Sequence, residues 1–132
     1  MTDDWSAKKG ESVLLFKESE APWGRPYSQM NYVTDGPFIT RTQSGKLQMI
    51  WSSFGKNGDY AIGVAVSESG TVNGPWQHLD KTLFGNDGGH GMVFRDFSGN
   101  PYLILHQPNK KNMERAHLFK LNEDIDGFRL ED

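Results

Sequence analysis

The sequence has no cysteine among its 132 residues, which excludes disulfide bonds and thiolate metal sites. It also has no apolar run approaching the roughly 18 residues that a membrane-spanning helix requires. Lysine and arginine form no basic stripe, and the net charge is −3, which argues against nucleic acid as a partner. The acidic start, Met1 to Trp5, lacks the basic and apolar regions of a signal peptide. As the chain is written we expect a cytoplasmic protein, although a parent enzyme could be secreted.

A helical period is also missing, whereas glycine and aromatic residues are abundant. There are 15 glycines, eight phenylalanines, four tryptophans and four tyrosines. Short aromatic strands joined by tight turns have this composition. Because a chain of this length forms one domain at most, we predict a single all-β domain over residues 1–132.

Alternating apolar residues and turn signals predict two groups of four strands. The first group covers 35–42, 47–53, 60–67 and a short strand that opens at Gly74-Pro75-Trp76. The second group covers 90–95, 102–106, 115–121 and 127–130. A further apolar run, from Val13 to Phe16, predicts a leading strand before the first group.

The second group repeats the first at an offset of about 54 residues, near the blade lengths of β-propellers. The aligned pairs are Gly36 with Gly91, Gly45 with Gly99, Met49 with Leu103, and Trp51 with Leu105. We predict two four-stranded antiparallel blades, at about 35–85 and 86–132, after a leading strand and loop at 1–34. Propellers close with about four to eight blades. We therefore expect a homo-oligomer, a partner chain or a larger protein to complete the ring, unless the two sheets stay open.

His90 stands in a frame of three glycines, within Asp87-Gly88-Gly89-His90-Gly91. The two glycines before it permit backbone conformations that a side chain forbids, and Gly91 lets another backbone approach His90. By the repeat, His90 opens the inner strand of the second blade as Asp35 opens that of the first. Both residues are expected to face one central channel.

Several motifs resemble the later blades of family 43 glycoside hydrolases. They are Val33–Phe38, Ser44–Leu47 with Trp51–Phe54, Ser67–Gly70 with Gly74–Trp76, and Asp87–Phe94 followed by Leu105–Asn109. The segment from Val13 to Trp23 resembles the end of the blade before. The resemblance spans nearly all of this chain but less than half of such an enzyme. It implies the C-terminal part, about two blades, of a five-bladed propeller.

The resemblance implies a glycosidase that inverts the anomeric centre of arabinose- and xylose-containing plant polysaccharides. Inversion needs a general acid and a general base about 6.5–9.5 Å apart. Asp35, directly before Gly36-Pro37, stands where the family usually has the Glu that acts as general acid, so the resemblance implies that Asp35 is the catalytic acid. The family's base and third carboxylate have no matching residue in this sequence. A base within an assembled mouth would have to be one of Asp59, Asp87, Asp96 or Glu20.

The resemblance also places His90 near the propeller axis, beside a water-coordinated cation that is often calcium. Neutral imidazole is a poor calcium ligand, because calcium prefers oxygen. His90 is therefore expected to orient a metal-bound water or the acid rather than to bind the ion alone. Calcium or another cation is the cofactor that the resemblance implies.

Four further residues are candidates for contact with a carbohydrate substrate. Trp23 and Phe54 lie in predicted loops, where a ring can stack on a sugar, and His106 and Arg115 could line the mouth. The last two also fit plainer roles, as a surface histidine at a strand end and as an exposed ion pair with Glu114. Packing between blades is favoured for three aromatic residues within strands: Trp51, Trp76 and Phe38.

Asp35 and His90 have plainer alternatives as well, namely a turn aspartate bonded to its own backbone and a hydrogen-bonded buried histidine. Three functions therefore stay open. The chain is a glycosidase completed by association, a carbohydrate-binding module without chemistry, or an inactive truncated piece of a larger glycosidase.

Overall fold

A computed structural model describes residues 2–4 and 6–131; Met1, Trp5 and Asp132 of the predicted terminal segments lie outside the described residues. The chain forms two four-stranded antiparallel sheets, each in sequential strand order. The strands are β1 Asp35–Arg41, β2 Leu47–Phe54, β3 Tyr60–Ser67, β4 Trp76–His78, β5 Gly89–Arg95, β6 Pro101–Gln107, β7 Arg115–Asp124 and β8 Gly127–Leu130. The prediction of an all-β fold with two four-stranded blades is confirmed. No helix in the described part of the chain is long and apolar enough to cross a membrane.

The first sheet is built around β2 and β3, whose residues are almost all buried. A strand that is covered on both faces carries a nearly continuous apolar run, and the run from Ala61 to Val66 has this form. One face of the sheet, which includes Ile50 and Ile62, belongs to the core shared with the second sheet. The opposite face, which includes Trp51, packs on residues that precede β1.

The main core lies between the two sheets. Ile50, Ile62 and Val64 of the first sheet meet Leu103 and Leu105 of the second, and each is at most 2% exposed. Burying a side chain of this size stabilises the fold by roughly 1.5–3 kcal/mol. This seam brings the first strands of the two sheets, β1 and β5, close to each other.

Glu123 joins the two sheets at their outer rim. Its Oε2 lies 2.8 Å from Nη2 of Arg95 within the second sheet. Its Oε1 accepts a hydrogen bond of 2.7 Å from the backbone N–H of Gln43, in the turn between β1 and β2. Because the Glu123 side chain is almost fully buried, loss of the Arg95 guanidinium or of the Gln43 N–H bond would leave its charge desolvated and poorly paired.

The repeat of about 54 residues is present, but its predicted register is wrong by one residue at the inner strands. Asp35 pairs with Ser52, and Gly89 pairs with His106, each directly before a bulge that adds one residue to the inner strand. Asp35 is therefore equivalent to Gly89, and the residues that follow them are equivalent to each other.

The second of these equivalent pairs is Gly36 with His90, not Gly36 with Gly91. Their φ angles are 53° and 52°, both in the left-handed region. Such bulge positions favour glycine. In the second blade this position carries a histidine, so an alignment that matches glycine to glycine is shifted by one residue. Gly91 is needed for a different reason, because a Cβ there would lie 2.7 Å from Cδ1 of Ile62.

The predicted leading strand from Val13 to Phe16 is wrong. These residues have no strand pairing, and Val13 and Leu14 are 64% and 71% exposed. Phe16 instead packs its ring on Trp51, with ring centroids 5.2 Å apart. A strand requires a partner edge, and this segment lies across a sheet face rather than along an edge. A short 3-10 turn at Glu18–Glu20 follows it.

The second sheet has one face packed against the first sheet and one face open. The open face, called here the front face, consists of Met92, Phe94, Ile104 and Leu118. Met92, Phe94 and Leu118 are 49%, 40% and 55% exposed. Alternate residues of β5 are buried and exposed in turn, as expected for a sheet covered on one side.

Candidate functional site

Asp35 and His90 meet where β1 and β5, the first strands of the two sheets, begin. Oδ2 of Asp35 lies 3.3 Å from Nδ1 of His90. Gly36 makes this approach possible, since a Cβ on Gly36 would lie 2.9 Å from Cγ of the His90 ring. The two side chains are 46% and 59% exposed, so the pair is open to solvent. The alternative of a buried histidine is therefore wrong.

Tyr60 completes this pair into a cluster. Its hydroxyl donates a 2.9 Å hydrogen bond to Oδ2 of Asp35, while the backbone N–H of Gly36 donates a 2.9 Å bond to Oδ1. Sequence reasoning treats Tyr60 only as the first residue of a strand and misses its role. Gly89 is the one sequence feature tied to this role, because it leaves room for the ring: a Cβ there would lie 2.4 Å from the Tyr60 ring.

The surroundings of Asp35 favour its carboxylate form. Partial burial acts to raise its pKa, but the hydroxyl of Tyr60, the imidazole of His90 and the N–H of Gly36 outweigh burial and hold the pKa below its usual value. Burial, followed by the adjacent carboxylate, raises the pKa of Tyr60 well above its usual value. A neutral phenol therefore donates to an ionised carboxylate.

His106 adjoins the same cluster. Its ring stacks on Tyr60 with centroids 6.0 Å apart, and its Nε2 lies 3.2 Å from Oδ1 of Asn109. It is the second-last residue of β6 and is half-buried.

Arg115 lines a shallow concavity of about 270 Å³ together with His90 and His106. Its Nη1 donates a 2.7 Å hydrogen bond to the backbone carbonyl of Glu114. Among the described residues its guanidinium forms no ion pair, so the predicted ion pair with Glu114 is wrong. The structure thus brings Arg115 near His90 without joining it to Asp35.

Phe54 is the last residue of β2 rather than part of a loop. Its ring lies 5.2 Å from that of Tyr60 and 5.0 Å from that of Tyr27. Tyr27 is 63% exposed, so aromatic rings lead from the surface to the Asp35 cluster.

Trp23 does not form part of the mouth. It is 4% exposed, and its ring packs 4.8 Å from that of Trp51 over the bare backbone of Gly63. The prediction that Trp23 stacks on a sugar is wrong, because the segment before β1 folds back over the first sheet and buries the ring. The predicted packing between blades is confirmed for Phe38, which packs on the core between the two sheets. It is wrong for Trp51 and Trp76, which are buried against the segment before β1 and within the first sheet.

No protein-family model matches the chain, and no curated protein matches it. Solved structures do match. The endo-arabinase of Bacteroides thetaiotaomicron VPI-5482 is 44% identical over 92% of this chain, with a TM-score of 0.84. The chain resembles part of a family 43 glycoside hydrolase. It spans 44% of the length of that endo-arabinase.

Two more distant structures support the same propeller fold. A thermostable family-43 glycoside hydrolase matches all of this chain at 22% identity and a TM-score of 0.78, and 45% of its own chain is covered. A family 43 β-xylosidase/α-arabinofuranosidase from a compost metagenome matches 89% of this chain at 15% identity and a TM-score of 0.58, with 40% of its own chain covered. The two sheets are therefore propeller blades of the family 43 type.

The carboxylates considered as a base for a family 43 site do not contact Asp35. Asp96 binds backbone groups of the β5–β6 turn, at the opposite end of the second sheet. Glu20 is exposed and accepts a 3.0 Å hydrogen bond from the backbone of Lys17. Asp59 and Asp87 lie nearer, shortly before Tyr60 and Gly89 in the chain, but neither has a hydrogen bond to the cluster.

The cation that the family resemblance implies does not fit the residues of this chain alone. Calcium takes six to eight oxygen ligands. Across residues 2–4 and 6–131, no three histidine or acidic side chains lie close enough together to hold a metal ion. His90 has one carboxylate beside it, that of Asp35. Any cation site would need most of its oxygen ligands from outside these residues.

Proposed function

We propose that this chain supplies part of the active site of a family 43-like inverting glycosidase. The observation that carries the proposal is the convergence of Asp35, Tyr60 and His90 at the inner ends of two blades that are 44% identical to an endo-arabinase. The cluster is open to solvent on one side, as a site for a polysaccharide must be.

In this proposal Asp35 is the general acid. It gives a proton to the glycosidic oxygen as that bond breaks, while a base removes a proton from the water that attacks the anomeric carbon. Asp35 must be protonated to act, yet its present partners keep it ionised. A second carboxylate brought close to Asp35 would raise its pKa. The base and this carboxylate are therefore proposed to come from further blades, in copies of the chain or in other protein segments.

The proposed substrate is a polysaccharide or oligosaccharide that contains arabinose or xylose, with arabinan as the first choice. Phe54 and Tyr27 offer rings on which a sugar could stack. His106 and Arg115 offer polar groups beside His90, where sugar hydroxyls or a leaving group could bind.

Hydrolysis by the purified protein tests this proposal. Release of reducing ends from linear arabinan and of nitrophenol from arabinofuranoside and xyloside probes would be followed across pH. Asp35→Asn is expected to lower the rate about 10²- to 10⁴-fold, the usual contribution of general acid catalysis. Asp80→Asn removes an exposed carboxylate outside the cluster and is expected to leave the rate unchanged. Equal rates for wild type and Asp35→Asn would refute the assignment of Asp35.

One observation favours a second candidate, a carbohydrate-binding module without turnover. The described residues give Asp35 no neighbouring carboxylate, so they lack the means to hold it protonated. In that case arabino-oligosaccharide would raise the melting temperature although no product forms. An inactive piece of a larger glycosidase would show neither effect.

A further inference from the structure

We propose that Tyr60 is the positioning residue for Asp35: its hydroxyl, carried by β3 and held in the gap left by Gly89, fixes Oδ2 of Asp35 toward His90. As a role in catalysis this rests on the proposed glycosidase function. As a statement about the orientation and charge of Asp35 it stands without that function.

The two oxygens of the Asp35 carboxylate have different partners. Oδ1 of Asp35 is held by its own strand, through the 2.9 Å bond from the N–H of Gly36. Oδ2 is held between the two sheets, by the 2.9 Å bond from Tyr60 of the first and the 3.3 Å contact with His90 of the second. Without the phenol, Oδ2 keeps one partner, and the His90 ring is largely exposed.

The Tyr60 ring is held in place from several sides. The side chain belongs to a residue that is only 4% exposed, and its ring passes over Gly89, where a Cβ would lie 2.4 Å away. The backbone N–H of Gly88 donates a 3.0 Å bond to the Tyr60 carbonyl. His106 stacks on the ring from the second sheet. A hydroxyl on a ring held from several sides is a fixed reference point for a half-exposed carboxylate.

The groups around Asp35 also favour one charge state of its carboxyl group. The groups that face Asp35 are the Tyr60 phenol from β3, the His90 imidazole from β5 and the N–H of Gly36 from β1 itself. Ser52 of β2 accepts a 2.8 Å bond from the backbone N–H of His90 and so holds that residue in place. Each of these groups that touches the carboxylate can donate to it, so the phenol favours the ionised form.

Tyr60→Phe separates the hydroxyl from the ring, and carboxyl carbon NMR can read its effect directly. Asp35 is assigned by the resonance that disappears in Asp35→Asn. Tyr60→Phe is expected to move the titration midpoint of Asp35 upward. Tyr102→Phe, a tyrosine of the second sheet without a bond to Asp35, is expected to leave the midpoint unchanged.

A site-specific fluorotyrosine at position 60 provides a second variant that keeps the shape of the ring. Its more acidic phenol is a stronger donor and is expected to move the Asp35 midpoint downward. An Asp35 midpoint that stays at the wild-type value in both variants would overturn the proposal. Hydrolysis is measured separately with wild type and Asp35→Asn. An inactive protein would refute completion of the site by copies of this chain, while the titration still decides the role of Tyr60.

Discussion

The two sheets repeat one pattern, yet they differ in what covers them. The first sheet is enclosed between the second sheet and the segment that carries Phe16 and Trp23. The second sheet packs on one side only, and its front face is open. Ile50 and Ile104 occupy equivalent positions, opposite Phe38 and Met92 in the two registers, but only Ile50 is fully buried. The same residue type at the same repeat position is thus core in one blade and half-exposed in the other.

Truncation of both isoleucines is expected to give the largest difference between the two sheets. Ile50→Ala is expected to destabilise the protein by about 2–5 kcal/mol, because it leaves a cavity in the core between the sheets. Ile104→Ala, its matched control, is expected to cost about 1 kcal/mol, since its side chain is partly in water already. Urea unfolding measures both. Equal losses would mean that the front face is covered in solution.

A smaller effect is expected at the two left-handed bulge positions. Gly36→Ala forces a Cβ into a left-handed conformation and to within 2.9 Å of the His90 ring, so we expect a loss of about 1–3 kcal/mol. His90→Gly relieves the same backbone strain and is expected to leave the melting temperature nearly unchanged, because the freer unfolded chain offsets the gain. A Gly36→Ala protein as stable as wild type would contradict the expected backbone strain and the close approach of Gly36 to His90.

Glu18, beneath the first sheet, gives a pH-dependent difference between the blades. Burial raises its pKa above the ordinary value of 4.5, and the bond from Ser53 opposes this only in part. The folded state therefore holds the proton more tightly than the unfolded state, and stability declines as pH rises from about 4.5 through the raised pKa. Glu18→Gln is expected to be more stable than wild type at pH 7 and equal to it at pH 3. Thermal melting at the two pH values checks this, and a constant difference would contradict it.

The smallest effect is expected on the front face. Leu118→Ser replaces a side chain that is 55% exposed, so the free energy of unfolding should change by no more than about 0.5 kcal/mol. A larger loss of unfolding free energy, together with a mass by light scattering below that of wild type, would show that copies of the chain cover the front face.

The strands could be predicted from sequence because alternation and turns are local signals. Which segments pack on each face of a sheet could not be predicted in this way. Trp23 looks like a loop residue until the segment that carries it is seen to fold back over Gly63. The register error at Gly36 arises because a bulge residue is defined by its backbone angle, and in the second sheet a histidine adopts that angle in spite of the strain.

The candidate site could be predicted only in part. Asp35 and His90 stand in motifs, and the repeat placed both at inner strand ends. Tyr60 of β3 contacts Asp35 of β1 from 25 residues away, with β2 between the two strands, and no local pattern marks such a pair. None of the four carboxylates considered as a base, Asp59, Asp87, Asp96 and Glu20, has a hydrogen bond to Asp35 among the described residues.

Arabinan hydrolysis in fractions separated by size, with mass measured by light scattering, decides whether Asp35 acts as an acid in a site that further blades complete. If Asp35 is an acid that further blades must complete, activity should follow the assembled fraction and be absent from single chains. It should fall at least about a hundredfold in Asp35→Asn, and Asp80→Asn should keep it. Full activity in Asp35→Asn would contradict the account, as would hydrolysis by a single chain with no further blades.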